Sequence, residues 1–223
     1  MGFFGALCII VLGKLTNTNK VADESSLAKE FLGKLFLIVG PSGSGKGTVI
    51  SELKRRFPGF VYPISYTTRE IREGESDGEV YHFVERGEFE KMIEAGEFLE
   101  YAVVHEDNYY GTSKEDILVP LRKGAVVVRE VDIQGFYSIK DLVPAENLVS
   151  IFMKVSDRED LKGRILRRGE ISDDELERRL DSARKEIAQA GSCDYQVENK
   201  WGEIKKCVNA VEKIIVEEIK DLY

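Results

Sequence analysis

The sequence predicts an α/β fold in three layers, with a parallel core sheet covered by helices on both faces. The first sign is an apolar run, Leu35-Phe-Leu-Ile-Val39, that opens directly into the glycine-rich stretch Gly40-Pro-Ser-Gly-Ser-Gly-Lys-Gly-Thr48. The second is the alternation of apolar, strand-like runs with segments of helical spacing, the pattern of parallel strands joined by crossover helices. Composition agrees with one compact core: 43% of the 223 residues are hydrophobic and 32% are charged.

Taken in order, Leu35–Val39 reads as the first strand and Val49–Phe57 as part of the following helix, stopped by Pro58-Gly59. Tyr62–Tyr66 is a short extended piece leading into Thr67–Gly78, which is too charged for a core. Glu88–Ala95 has helical spacing and closes at Gly96, and Phe98–Val104 alternates as a strand. Ala125–Val131, Leu148–Val155 and Tyr195–Val197 supply further strands, and Glu203–Ile219 is the final helix. Ser156-x-x-Glu159 and Ser172-x-x-Glu175 fit the capping box, in which two side chains satisfy backbone N–H groups reciprocally. They open helices at about Asp157–Arg168 and Asp173–Ala190. No internal repeat or low-complexity tract is present.

The formal net charge of -8 argues against broad electrostatic binding to nucleic acid. Anionic ligands must then be met by local clusters of Arg and Lys. Cys8, Cys193 and Cys207 are too widely spaced for a metal pattern or a disulfide framework, as expected of a reducing, cytoplasmic setting. Residues 1–34 read as a non-catalytic extension before a domain spanning 35–223. Within it, Phe3–Leu12 is apolar but too short to span a bilayer, and no basic side chain precedes it as in a secretory signal. Oligomeric state and membrane association of the extension stay open.

The glycine-rich stretch has the chemistry of a phosphate cradle. Gly40, Gly43 and Gly45 let backbone N–H groups converge on an anion, with Pro41, Ser42 and Ser44 between them. The helix start adds its positive dipole end, and Lys46 supplies a mobile cation. One slot departs from the usual P-loop: the Ser or Thr that binds magnesium is replaced by Gly47, with Thr48 one residue later. Thr48 is then the hydroxyl left to reach a phosphate or the metal.

Downstream lies Ser65-Tyr-Thr-Thr-Arg-Glu-Ile-Arg-Glu-Gly-Glu75, followed by Gly78 and Tyr81-His-Phe83. Arg69 and Arg72, three apart and surrounded by hydroxyls, make a clamp for a phosphate monoester or, on a blander view, a solvated charged loop. The segment resembles the guanylate kinase family's signature S-x-T-T-R-x-x-R-x-G-E followed by Y-x-F. Further motifs extend the resemblance over residues 35–200: Phe98-Leu-Glu-Tyr101, Asn108-Tyr-Tyr-Gly-Thr112, Val131-Asp-Ile-Gln-Gly135, the arginines around Arg164, Arg168 and Arg179, and Asp194-Tyr-x-Val-x-Asn199.

The resemblance implies a P-loop NTPase core carrying a GMP-binding insert (about 63–110) and a helical lid (about 157–190). It also implies ATP-dependent phosphorylation of GMP, and of dGMP, in purine nucleotide metabolism. By the same likeness Ser65, Arg69, Arg72, Tyr81 and Tyr110 surround the GMP phosphate, while Glu130 and Asp132 face GMP and the water shell of a magnesium ion held by the ATP phosphates. Asn199 falls near the donor adenine, and Lys46, Arg164, Arg168 and Arg179 neutralise the donor phosphates. Glu75 is expected to brace the loop.

Guanine presents N1–H and an exocyclic amine as donors beside the O6 acceptor. A carboxylate accepts from both donors, which suits Glu100, and Thr112 is available to donate to O6. The alternatives are a surface acid at Glu100 and a cap at Thr112 for the Ser113–Glu115 turn. The attacking phosphate is already largely ionised near neutrality, with a second pKa of about 6, so no general base is needed. That agrees with only two histidines, His82 and His105, neither in a nucleophile–base pattern. A catalytically inactive module binding phosphorylated proteins is the alternative function, which the intact loop with Lys46 disfavours. Arg129, where the family usually has an apolar residue, has no role in this scheme; it must find a carboxylate or reach solvent.

Overall fold

The structure, a computed structural model, describes residues 31–104, 108–155, 157–167 and 171–222. The expectations for residues 1–30, His105, Ser156 and Arg168 lie outside the described residues.

In chain order the elements begin with β1 (Lys34–Val39), α1 (Lys46–Arg56), β2 (Tyr66–Thr67), β3 (His82–Phe83), α2 (Arg86–Glu94), β4 (Phe98–Val104) and β5 (Asn108–Ser113). They continue with α3 (Glu115–Arg122), β6 (Val126–Val131), α4 (Ile133–Lys140), β7 (Leu148–Lys154), α5 (Arg158–Leu166), α6 (Asp173–Ile187), β8 (Tyr195–Glu198) and α7 (Ile204–Glu218). The core sheet is parallel in the order β6-β1-β7-β8. Val61 adds a parallel bridge at its β6 edge, donating to Val126 O and accepting from Val128 N, each at 2.9 Å.

Period-two alternation along β1 sorts its side chains into two layers. Leu35, Leu37 and Val39 pack with Ile117, Leu121, Phe136 and Ile139 of α3 and α4. Phe36 and Ile38 pack with Val49 and Leu53 of α1 and with Val208, Val211 and Ile215 of α7. The strand is thus buried on both faces, which is why it reads as an unbroken apolar run. Phe31 joins the first cluster, and Asn147 holds its carbonyl, so packing begins ahead of the strand.

A second, mixed sheet in the order β3-β2-β5-β4 stands beside the core. Its underside is aromatic: Phe89 of α2 stacks on Phe98 at 4.3 Å and on Tyr109 at 5.1 Å. The β4–β5 hairpin places Glu100 opposite Thr112. Helices α5 and α6 close on a small core of their own formed by Leu161, Ile165, Leu176, Leu180 and Ala183 with Val155.

Several expectations need correction. Of the extended piece expected at Tyr62–Tyr66, only Tyr66 enters a strand, β2 at Tyr66–Thr67. Helix α5 is capped by Asp157, whose Oδ1 accepts from Asp160 N at 2.9 Å. The Ser172 cap forms as expected, accepting from Glu175 N at 3.3 Å. Asp132 lies just beyond β6 and caps α4, accepting from Gly135 N at 2.7 Å. Thr112 caps nothing; Ser113 accepts from Glu115 N instead. Burial pushes the thiols of Cys193 and Cys207 up to about 11, consistent with inert core residues. Among the described residues no helix is long and apolar enough to cross a membrane.

Candidate active site

The loop between β1 and α1 is built as the glycines require. Gly43 and Gly45 adopt φ of 84° and 95°, conformations costly for any side chain. A Cβ on Gly40 would lie 2.7 Å from Met153 O, and one on Gly45 would lie 2.5 Å from Asn199 Nδ2. Lys46 Nζ folds back on the loop, donating to Gly40 O and, at 3.0 Å, to Pro41 O. Ser44 Oγ is buried with no hydrogen-bond partner, a polar atom aimed into a cradle that suits an oxyanion. Asn199, just after β8, braces this loop, its Nδ2 donating to Ser44 O at 2.9 Å.

Beside the loop, a cleft of about 370 Å³ is lined by Thr48, Arg164, Arg167, Asn199 and Trp201 among others. Arg164 donates to Asn199 O at 2.7 Å, and Arg167 lies over the Trp201 ring at 4.4 Å. Arg179 is held within α6 by Glu175 at 2.8 Å. Arg164 and the loop therefore meet, whereas Arg179 is engaged within α6.

The second anion cluster sits on the mixed sheet. Arg69 makes a two-pronged pair with Glu75, both contacts at 2.9 Å, and lies 5.5 Å from the centre of the Tyr81 ring. Tyr81 in turn meets Tyr110 edge-on at 5.6 Å. Glu75 also accepts from Arg72 N at 3.0 Å, so it braces the loop as expected, while the Arg72 side chain is exposed. Burial pushes the Tyr81 phenol upward. A neighbouring cleft of about 310 Å³ is lined by Ser65, Tyr81, Arg129 and Glu130, among others.

Glu100 and Thr112 pair directly, Thr112 Oγ1 donating to Glu100 Oε1 at 2.5 Å. Burial raises the Glu100 pKa, opposed by that hydrogen bond and by the charge of Arg129. Arg129 is half-buried at the edge of that cleft and feels the charges of Glu100 and Glu130, yet its hydrogen bonds go to neutral oxygens. Its NH1 donates to Pro63 O at 2.7 Å, and its NH2 to Ser65 Oγ at 2.6 Å and Thr112 Oγ1 at 2.8 Å.

The loop and the cleft lined by Arg129 and Glu130 meet at Gly47. A Cβ there would stand 3.8 Å from Glu130 Oε2, so the carboxylate at the end of β6 faces the first turn of α1. Among the described residues no group of three or more acidic, His or Cys side chains is arranged to hold a metal. Trp201 escaped the sequence reading, whereas Arg167 and Glu186 figured in it only as members of the arginine-bearing segments around Arg164, Arg168 and Arg179. Glu186, pushed up to about 7 by burial and the nearby charge of Asp132, is also close enough to feel Lys46.

A glycine-rich loop closing the first strand of a helix-covered parallel sheet defines an α/β protein of the P-loop NTPase class. A family model described as guanylate kinase matches residues 32–218. A guanylate kinase of Gloeobacter violaceus is 41% identical over 190 residues, 85% of this chain and 90% of its own. One from Clostridium tetani is 43% identical over 182 residues, 82% of this chain and 83% of its own. The crystal structure of guanylate kinase from Anaplasma phagocytophilum superposes with a TM-score of 0.65 at 28% identity, covering 86% of this chain and 90% of that one. The chain belongs to the guanylate kinase family of enzymes.

Proposed function

We propose that the protein transfers the terminal phosphoryl group of ATP to GMP, giving ADP and GDP, with dGMP as a second acceptor. The observation that carries this reading is the shared sheet. Strands β2, β5 and β4 pair in sequence, so the Arg69–Tyr81–Tyr110 cluster and the Glu100–Thr112 pair stand on one platform. A phosphate clamp and a carboxylate that accepts from two base donors are what a guanine mononucleotide needs.

The donor triphosphate belongs at the loop, where Lys46 exchanges the carbonyls of Gly40 and Pro41 for phosphate oxygens. Arg164 and Arg167 stand at the mouth of that cleft and supply further positive charge. The acceptor phosphate attacks without a general base, so positioning and charge neutralisation supply the rate enhancement. Magnesium arriving with ATP would spread the charge of the outer phosphates. It would be held by the phosphates and water, with Thr48 as the nearest loop hydroxyl, and Glu130, beside Gly47, would accept from that water. The insert and the lid are read as the parts that close and exclude water.

The test is a coupled ADP-release assay with magnesium and ATP, run across GMP, dGMP, AMP, CMP and UMP. GMP-dependent ADP formation well above the other bases is expected. Its absence, with GMP binding retained, would make the protein a binding module instead.

A further inference from the structure

We infer that Arg129 is a specificity-determining residue, which sets the base selectivity of the acceptor pocket by forcing Thr112 and Glu100 into one hydrogen-bond polarity. The inference rests on the GMP reading above and deepens it. Arg129 departs from the run of valines before it on β6, and its guanidinium reaches across from the core sheet to the mixed sheet. A guanidinium has donors only, so every oxygen it meets must accept. One NH2 group serves both Ser65 Oγ and Thr112 Oγ1, and NH1 serves Pro63 O.

The consequence at Thr112 is determinate. Its oxygen accepts from Arg129, and its single proton goes to Glu100 Oε1. That proton is no longer available to guanine O6, the role the sequence suggested for it. Thr112 is itself fully buried, so what is left for a base is an acceptor, the remaining oxygen of Glu100. N1–H and the exocyclic amine of guanine are donors that a carboxylate accepts, whereas adenine N1 brings a lone pair against it. At Ser65 the same logic leaves the proton free to point outward, toward an acceptor phosphate.

Arg129 also governs whether Glu100 is charged. Burial pushes the Glu100 carboxyl toward its neutral form, and Asp132, beyond the end of β6, pushes the same way. Thr112 from β5 and Arg129 from β6 oppose them. The other groups that feel Arg129 are Glu130 on its own strand, Tyr81 ahead of β3 and Asp116 of α3. Without the guanidinium, Glu100 keeps its proton to higher pH, and a neutral carboxyl donates to adenine N1 instead of repelling it.

The experiment measures kcat/KM for GMP and for AMP, between about pH 5.5 and 8.5, in the wild type, R129L, R129K and T112V. In R129L the acid limb of the GMP profile should move up by about one pH unit or more, as expected on losing an adjacent opposite charge. The AMP-to-GMP ratio should rise about tenfold at the acid end, one unit being a factor of ten. R129K keeps the charge but not the fork, so its acid limb should stay near the wild type while GMP KM rises. T112V removes the proton donor to Glu100 and should move the acid limb in the same direction as R129L. R129L with a wild-type melting temperature, acid limb and AMP-to-GMP ratio would overturn the inference. Should R129L not fold, an unmoved acid limb in T112V overturns it equally. A wild type that forms no ADP with GMP overturns the acceptor reading itself, a result separate from either.

Discussion

Replacing Arg69 by Ala tests the acceptor-phosphate clamp most directly, because the structure shows what the side chain does before any ligand arrives. Its guanidinium is fixed by both oxygens of Glu75 at 2.9 Å and by Glu70 O at 2.6 Å, with the Tyr81 and Phe83 rings at 5.5 and 5.3 Å. These contacts and a hydrogen bond with Tyr110 use part of its five N–H donors, and a phosphate would take what remains or displace a present partner. A hydrogen bond between charged groups contributes about 1.5–3 kcal/mol, so losing one should lower kcat/KM for GMP by about 10- to 150-fold. The KM for ATP at saturating GMP should hardly move, since Arg69 belongs to the mixed sheet and not to the loop. Arg69→Lys should fall between the two, keeping the charge without the planar fork. Glu75→Gln should reduce GMP use less than Arg69→Ala, and the double variant should be no worse than Arg69→Ala, because Glu75 acts through Arg69. The assay is steady-state ADP release with GMP varied. An unchanged kcat/KM in Arg69→Ala, or a loss shared equally by the ATP KM, would remove Arg69 from the acceptor site.

Other perturbations reach the remaining parts. Lys46→Ala should lower kcat by at least about 100-fold, the scale of removing one group that stabilises transferring charge, with no change in the circular dichroism spectrum. Trp201→Ala should raise the KM for ATP and spare that for GMP, which a pair of substrate titrations would reveal. Leu53→Ala should destabilise the fold by about 2–5 kcal/mol in urea unfolding, because this fully buried side chain lies between the sheet and α7. Glu186 carries a folded-state pKa raised from 4.5 to about 7, so the native state is the one that retains the proton. The wild type should therefore lose stability relative to Glu186→Gln as pH climbs from about 4.5 through about 7, a gap absent in more acid solution. Melting temperatures of both proteins across that range would show it.

The parts most readable from sequence are those whose physics is local. An unbroken apolar run with a glycine-lysine loop behind it left little freedom for β1 and α1. The hydroxyl of Ser172, followed three residues on by Glu175, marked the start of α6 in the same way. Less was visible where an element is short or carries a breaker. Helix α3 contains Pro120, and α4 is only two turns long between a cap and Asp141, so neither announces itself by periodicity. Strand β5 was masked by its polar, aromatic composition, Asn108-Tyr-Tyr-Gly-Thr-Ser113, which suits a binding segment as well as a strand. Arg129 was the clearest limit. Its position could be flagged as discordant, but its partners Pro63, Ser65 and Thr112 are 66, 64 and 17 residues away and become neighbours only when the two sheets meet.

A chain of net charge -8 that must hold two polyanions faces an energetic difficulty, and the structure shows how it is met. The cations are not left waiting in a bare cleft. Lys46 rests on loop carbonyls, Arg69 on Glu75, Arg164 on Asn199 O and Arg179 on Glu175. Each pairing prevents an unmatched charge from being partly buried, which would cost several kcal/mol. Ligand binding is accordingly an exchange of partners, and its free energy is the difference between a phosphate and an internal acceptor. That difference is larger for Arg164, whose hydrogen bond goes to a neutral carbonyl, than for Arg69 and Arg179, which already sit on carboxylates. Loss of Arg164 should therefore weaken turnover more than loss of Arg179, an ordering opposite to one based on how well paired each cation is at rest.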